Sequence, residues 1–285
     1  MTDPAAEPRV LIDDLVFGEG PRYRDDRLYV SDQHAREVLT VDLVGRREHV
    51  ARADQMPSGL GWLPDGTLLV VSMHDRKLLA LRDGTLQVHA DLGDIATGNC
   101  NDMVVDAQGR AYVGNFGFDM DGGAQAAPAR LAMVTPEGEV RTAAEDLMFP
   151  NGAVITPDGK TLIIAETYAA KLTAFDMRAD GSLSNRRVWA QLPCPPDGIC
   201  LDADGCVWVS NPMPPGGYIR VAEGGEVKQR VETGDHNGIA CMLGGPERRH
   251  LFMIDAVTFD PTRSRRGNSR VRVLEVDVPG AGLPG

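Results

Sequence analysis

Cysteine is scarce in this 285-residue chain, and its five copies, Cys100, Cys194, Cys200, Cys206 and Cys241, include no CxxC spacing. An odd number without a metal-ligand pattern argues against a disulfide framework and a thiolate zinc cluster. Each thiol lies in or beside an apolar run, where a reduced cysteine acts as a small hydrophobe. No run of about 18 apolar residues is present, so no membrane-spanning helix is expected. The opening residues MTDPAAEPR have neither the basic start nor the apolar core of a secretory signal, which points to the cytoplasm. Phosphate loops (GxxxxGK[ST]), dinucleotide fingerprints (GxGxxG), HExxH pairs and GxSxG elbows are all missing. Positive charge is also in deficit: 29 Lys and Arg against 41 Asp and Glu leave a formal charge of −12. Nucleic acid and anionic membrane surfaces are therefore poor partners.

What the chain does have is a repeat. Six times a small or polar residue stands eight positions ahead of a second marker, usually the glycine of a tight turn. The pairs are Glu19 with Arg27, Ser58 with Gly66, Asn101 with Gly109, Asn151 with Gly159, Asp197 with Gly205, and Asn237 with Gly245. Each pair brackets a short apolar stretch and a polar turn such as PDG, DAQG or DADG, followed by a run rich in Val, Leu, Ile and aromatics. This is a hairpin pattern. The leading residues recur at intervals of 39, 43, 50, 46 and 40, within the roughly 40–50 residues of a propeller blade. The predicted fold is all-β: a six-bladed β-propeller with four-stranded antiparallel blades.

A propeller brings the first strand of every blade to one central channel. In this register the ring holds Glu19, Ser58, Asn101, Asn151, Asp197 and Asn237: two carboxylates, three amides and a hydroxyl. All offer oxygen. Two carboxylates facing each other across a narrow channel raise each other's pKa unless a cation lies between them, so a divalent metal ion in the channel is expected. Hard oxygen donors suit calcium best, with magnesium or manganese as alternatives.

Residues 1–8 read as a disordered tail, 9–279 as one propeller domain, and 280–285 as a C-terminal tail lacking the side chains to pack. Arg9–Asp14 and Arg270–Val278 alternate like strands, and their pairing in one blade would close the ring. Two longer loops interrupt the repeat: Phe116–Ala129, placed to overhang the channel as a lid, and the basic run Pro261–Arg270, read as a solvated connection.

The segments FGEGPRY from Phe17, PNGAVITPDG from Pro150, PPDGICLDADGCVWVS from Pro195 and ACMLGGPERRHLF from Ala240 together resemble the SMP-30/gluconolactonase/LRE-like family of six-bladed propellers. The resemblance implies one divalent metal, zinc in some members, held by Glu19, Asn151 of the PNG motif and Asp197 of the PDG motif. Asn101 joins that shell or contacts substrate. It further implies hydrolysis of a lactone or related ester, an EC 3.1.1 activity, with the metal polarising the carbonyl and a bound water attacking. Asp197 is then both ligand and candidate base. Sugar-lactone members carry an Arg two residues before the Asn of the ND motif. Here that place is Asn99, and Phe149, Tyr168, Phe116, Phe118 and Met148 are nearby, so a less polar substrate is expected.

His34, His74 and His236 are candidates for proton transfer, with His236 foremost because it precedes Asn237. Two other functions are carried alongside: phosphotriester hydrolysis by the same architecture, and a metal-binding propeller with a non-hydrolytic or binding role. No long apolar surface stripe is evident, which predicts a monomer or weak homodimer acting on a small molecule.

Overall fold

Five of the marker glycines have the left-handed backbone that the predicted turns require: Gly66, Gly109, Gly159, Gly205 and Gly245 have φ between 69° and 88°. In the first repeat, where no glycine stands, Asp25 and Asp26 adopt φ of 51° and 58° instead, a conformation that short polar side chains tolerate. Each turn reverses the chain between two strands. Among residues 7–284, which the computed structural model describes, there are 24 strands and a single 3-10 turn. Expectations for residues 1–6 lie outside that range.

The strands form six four-stranded sheets, each a run of antiparallel neighbours. Their innermost strands are Gly18–Arg24, Pro57–Trp62, Cys100–Val105, Pro150–Ile155, Ile199–Leu201 and Asn237–Gly244, which define blades 1 to 6. Neighbouring innermost strands pack side by side around the axis. Blade 6 is completed from the other end of the chain: Arg9–Leu15 pairs with Ser269–Glu275, Arg9 opposite Val273. The ring closes as the alternating runs predict.

Apolar side chains fill the spaces between sheets. Leu69, Leu78, Met103, Val113 and Val134, for example, pack together between blades 2 and 3. Burying one such side chain stabilises the fold by about 1.5–3 kcal/mol. A charge at fully buried Leu69 would break that contact. None of the helical segments described is long and apolar enough to cross a membrane.

The segment after Pro279 departs from the expected trailing tail. Gly280 N donates to Arg248 O, Ala281 N to Leu201 O, and Leu283 exchanges hydrogen bonds with Ile155. It thus spans blades 6, 5 and 4 at the channel end opposite Glu19. Backbone groups supply these bonds, so a lack of large side chains is no obstacle, and Leu283 adds an apolar contact.

Candidate functional site

The ring residues sit where the innermost strands leave regular pairing. Register shifts fall between Glu19 and Arg22, Pro57 and Leu60, Cys100 and Met103, Pro150 and Ala153, and Gly238 and Ala240. In blade 5 the ladder begins at Ile199, just after Asp197 and Gly198. Bulges re-aim side chains, and here they recur around the axis. The glycines that follow allow the strands to crowd: a Cβ on Gly152 would lie 2.6 Å from Ile199 N, and one on Gly198 2.7 Å from Ala240 Cα.

Four side chains meet at one end of the channel. Glu19, Asn101, Asn151 and Asp197 all line a cavity of about 220 Å³, yet each is no more than 7 % exposed. Each is held by its surroundings. The Asp32 carboxylate accepts the amides of Val16 and Phe17 and fixes the turn before Glu19. Glu166 does the same for Met148, ahead of Asn151. Thr167 Oγ1 lies 3.2 Å from Asn151 Nδ2 and donates to Pro196 O at 2.7 Å, tying Asn151 to the segment that carries Asp197.

Burial raises the Asp197 carboxyl to about 8; a hydrogen bond from Asn151 opposes the shift and the Asp102 charge adds to it. Glu19 is raised well above the usual carboxylate range, first by burial, then by the charges of Asp197 and Asp102, against a hydrogen bond from Gly20 N and the charge of Arg22. Among the described residues no lysine or arginine lines the cavity. Two crowded carboxylates flanked by two amides form an all-oxygen donor set of charge −2 when both are ionised. These residues fit a hard divalent ion.

The other two ring positions turn elsewhere. Ser58 Oγ is buried between Gln33 Nε2 and Asn101 Oδ1, at 3.2 and 3.4 Å. Asn237 donates to the carbonyls of Ala256 and Val257. Asn99 lines the cavity and donates to Asp121 Oδ2 at 2.9 Å. Phe149 stacks on Phe116 with centroids 4.3 Å apart and on Tyr168 at 5.0 Å. Tyr168 is half exposed at the outer end of this wall, and Met120 and Asp121 bring the predicted overhanging loop to the cavity.

His236 is not among the lining residues, and its Nδ1 lies 2.7 Å from exposed Asp235. His34 and His74 are on the wall instead. His34 stacks on Phe17 at 4.7 Å, and its Nδ1 is buried without a hydrogen-bond partner. Burial lowers its pKa to about 4, with Asp260 opposing the shift and His74 adding to it.

Residues 17–257 match the model of the SMP-30/gluconolactonase/LRE-like region. The chain belongs to this family. It is 26 % identical to diisopropyl-fluorophosphatase of Loligo vulgaris over 271 residues, covering 81 % of this chain and 84 % of the relative. It is also 26 % identical to the pentonolactonase XacC of Haloferax volcanii over 255 residues, covering 87 % and 84 %. Among solved structures, a calcium-binding protein described as regucalcin, from Agrobacterium tumefaciens, superposes with a TM-score of 0.81 at 22 % identity, covering 98 % of this chain and 97 % of that one. That likeness supports the fold.

The DMDG run of Asp119–Gly122 resembles the start of a calcium loop but lacks the remaining ligands, so by sequence it carries no weight, yet Asp121 lines the cavity. Two further charges carry no such mark. Arg22 and Asp102 are buried and paired at 2.7 Å. Nothing in the local sequence marks either as an interior charge.

Proposed function

We propose that this protein is a metal-dependent hydrolase of small lactones or esters. The observation that carries this reading is the pairing of two buried carboxylates and two amides with an aromatic wall in one cavity. Glu19, Asn101, Asn151 and Asp197 would hold the ion, calcium by their chemistry, with magnesium, manganese or zinc as alternatives. When bound, such an ion polarises a substrate carbonyl and acidifies water.

The chain's own residues supply the rest. Phe116 and Phe149 receive the apolar part of the substrate and exclude water, and Asn99 holds Asp121 at the mouth. Asp197 is the candidate base, its Oδ atoms taking the proton of the attacking water. A nearby cation lowers the pKa that burial raises, so the balance of the two sets its strength. His34, neutral near pH 7, is a second proton acceptor on the wall. His236 keeps a role only if its Asp235 contact opens.

The likeness to a fluorophosphatase, together with the apolar wall, supports a second reading, phosphotriester hydrolysis. Turnover of lactones, esters and phosphotriesters, each with and without chelator, tests both. Chelator-sensitive turnover of lactones or esters supports the first and of phosphotriesters the second. Inactivity on all of them with stoichiometric metal bound would leave a non-hydrolytic propeller. Exposed large apolar side chains such as Val44, Val88 and Val188 come from different blades. We therefore expect a monomer or weak homodimer with small-molecule partners, working in the cytoplasm, which light scattering and fractionation check.

A further inference from the structure

Aligning the six blades on their ring residues exposes two departures from the repeat. One position after the ring residue stands Gly20, Gly59, Gly152, Gly198 or Gly238, but blade 3 has Asp102. Three positions after it stands Gly61, Val104, Val154, Cys200 or Ala240, but blade 1 has Arg22. The two exceptions are each other's partners: Arg22 Nη2 donates to Asp102 Oδ1 at 2.7 Å, with both residues at most 5 % exposed. Arg22 also donates to Leu60 O at 3.0 Å, Pro21 O at 2.8 Å and Met103 O at 2.5 Å, so one guanidinium links blades 1, 2 and 3. Asp102 Oδ1 additionally accepts Met103 N at 2.8 Å.

The pair borders the carboxylate floor. Asp102 adjoins Asn101, and Arg22 lies three residues beyond Glu19. When Glu19 and Asp197 are both ionised, as metal binding requires, these four residues carry three negative charges and one positive, leaving the floor a charge of −2. Fixed charges in a poorly solvated channel act strongly on one another.

We infer that Arg22 and Asp102 are positioning residues that set the charge of the floor and hence its affinity for a divalent cation. This rests on the metal-binding reading of the site, not on the reaction assigned to it. Charge alone makes the effects opposite in sign: removing Arg22 leaves a more negative floor, and removing the Asp102 charge a less negative one. A purely structural role would weaken binding in both cases.

The test titrates chelator-stripped protein with Ca²⁺ by calorimetry. Arg22→Met is expected to tighten binding about tenfold and Asp102→Asn to weaken it about tenfold. The double variant restores the net charge and should return to within about threefold of the parent. Arg22→Lys keeps the charge but loses the fork, so its affinity should stay near the parent while its melting temperature falls. If Arg22→Met does not fold, Arg22→Lys and Asp102→Asn still carry the comparison. Both single substitutions weakening binding, or neither changing it, overturns the inference. A parent protein that takes up none of Ca²⁺, Mg²⁺, Mn²⁺ or Zn²⁺ overturns it together with the metal-binding site. Metal uptake without turnover of any ester leaves it standing and removes only the proposed reaction.

Discussion

Asn99 donates a 2.9 Å hydrogen bond to Asp121, joining the strand entry of blade 3 to the loop that overhangs the cavity. Asn99 thereby ties down a wall of the site as well as facing it. Replacing Asn99 with Ala removes a bond of about 0.5–1.5 kcal/mol. KM should rise about two- to tenfold with kcat within twofold, because the loop contributes to binding more than to the reacting atoms. Steady-state kinetics on the best substrate decides it; a fall in kcat at unchanged KM would place Asn99 in the chemical step.

Metal removal should change the pH dependence of stability. Burial holds Asp197 at about 8 and Glu19 well above its usual range, so between about pH 4 and 8 the folded, metal-free protein binds more protons than the unfolded chain. Stability then falls as pH rises through that window. A cation reverses the loss by keeping both groups ionised at no cost. Melting curves of chelated protein should drop from pH 5 to pH 8. A fixed metal concentration about 100 times the Kd at pH 8 should add about 2.7 kcal/mol there and less at pH 5, where protons compete for Glu19 and Asp197.

Asp197→Asn separates charge from shape. The substitution removes a buried, repelled carboxylate, so the metal-free variant should be more stable than the parent at pH 8. Activity at saturating metal should fall at least about a hundredfold, in line with loss of a positioned base. Unchanged turnover would remove Asp197 from the mechanism.

The stacked wall predicts selectivity. Phe149→Ala should raise KM for esters with bulky alkyl or aryl groups far more than for a small polar lactone. Phe149 is 7 % exposed, so truncation should also cost about 3–5 kcal/mol of stability. Equal losses on both substrate types would argue that the wall serves the fold alone.

The blades were legible in the sequence because strands alternate with period two and their turns need particular residues; Gly109 and Gly159 announce themselves. Glu19, Asn101, Asn151 and Asp197 were legible because circular repetition turns a constant spacing into a shared axis. Ser58 and Asn237 have the same spacing but different neighbours, and those neighbours, Gln33 and the carbonyls of Ala256 and Val257, come from other strands. Arg22 sits in GPRYR, which reads as an ordinary exposed strand end; only three carbonyls and a carboxylate brought by the fold make its burial favourable. Adjacency to Asn237 puts His236 ahead of His34 in the sequence, and the fold reverses that order, because His34 lines the cavity and His236 does not. The segment after Pro279 is held by main-chain pairing, which its small side chains do not announce.

The sheet that unites Arg9–Leu15 with Ser269–Glu275 makes assembly an all-or-nothing event in time. During synthesis the first of these strands must wait for all five other blades before it meets its mate. Until then the ring is unsealed and its edges are bare. A ribosome stalled before Ser269 would therefore release a product with every donor present and the last blade lacking the pair that closes it.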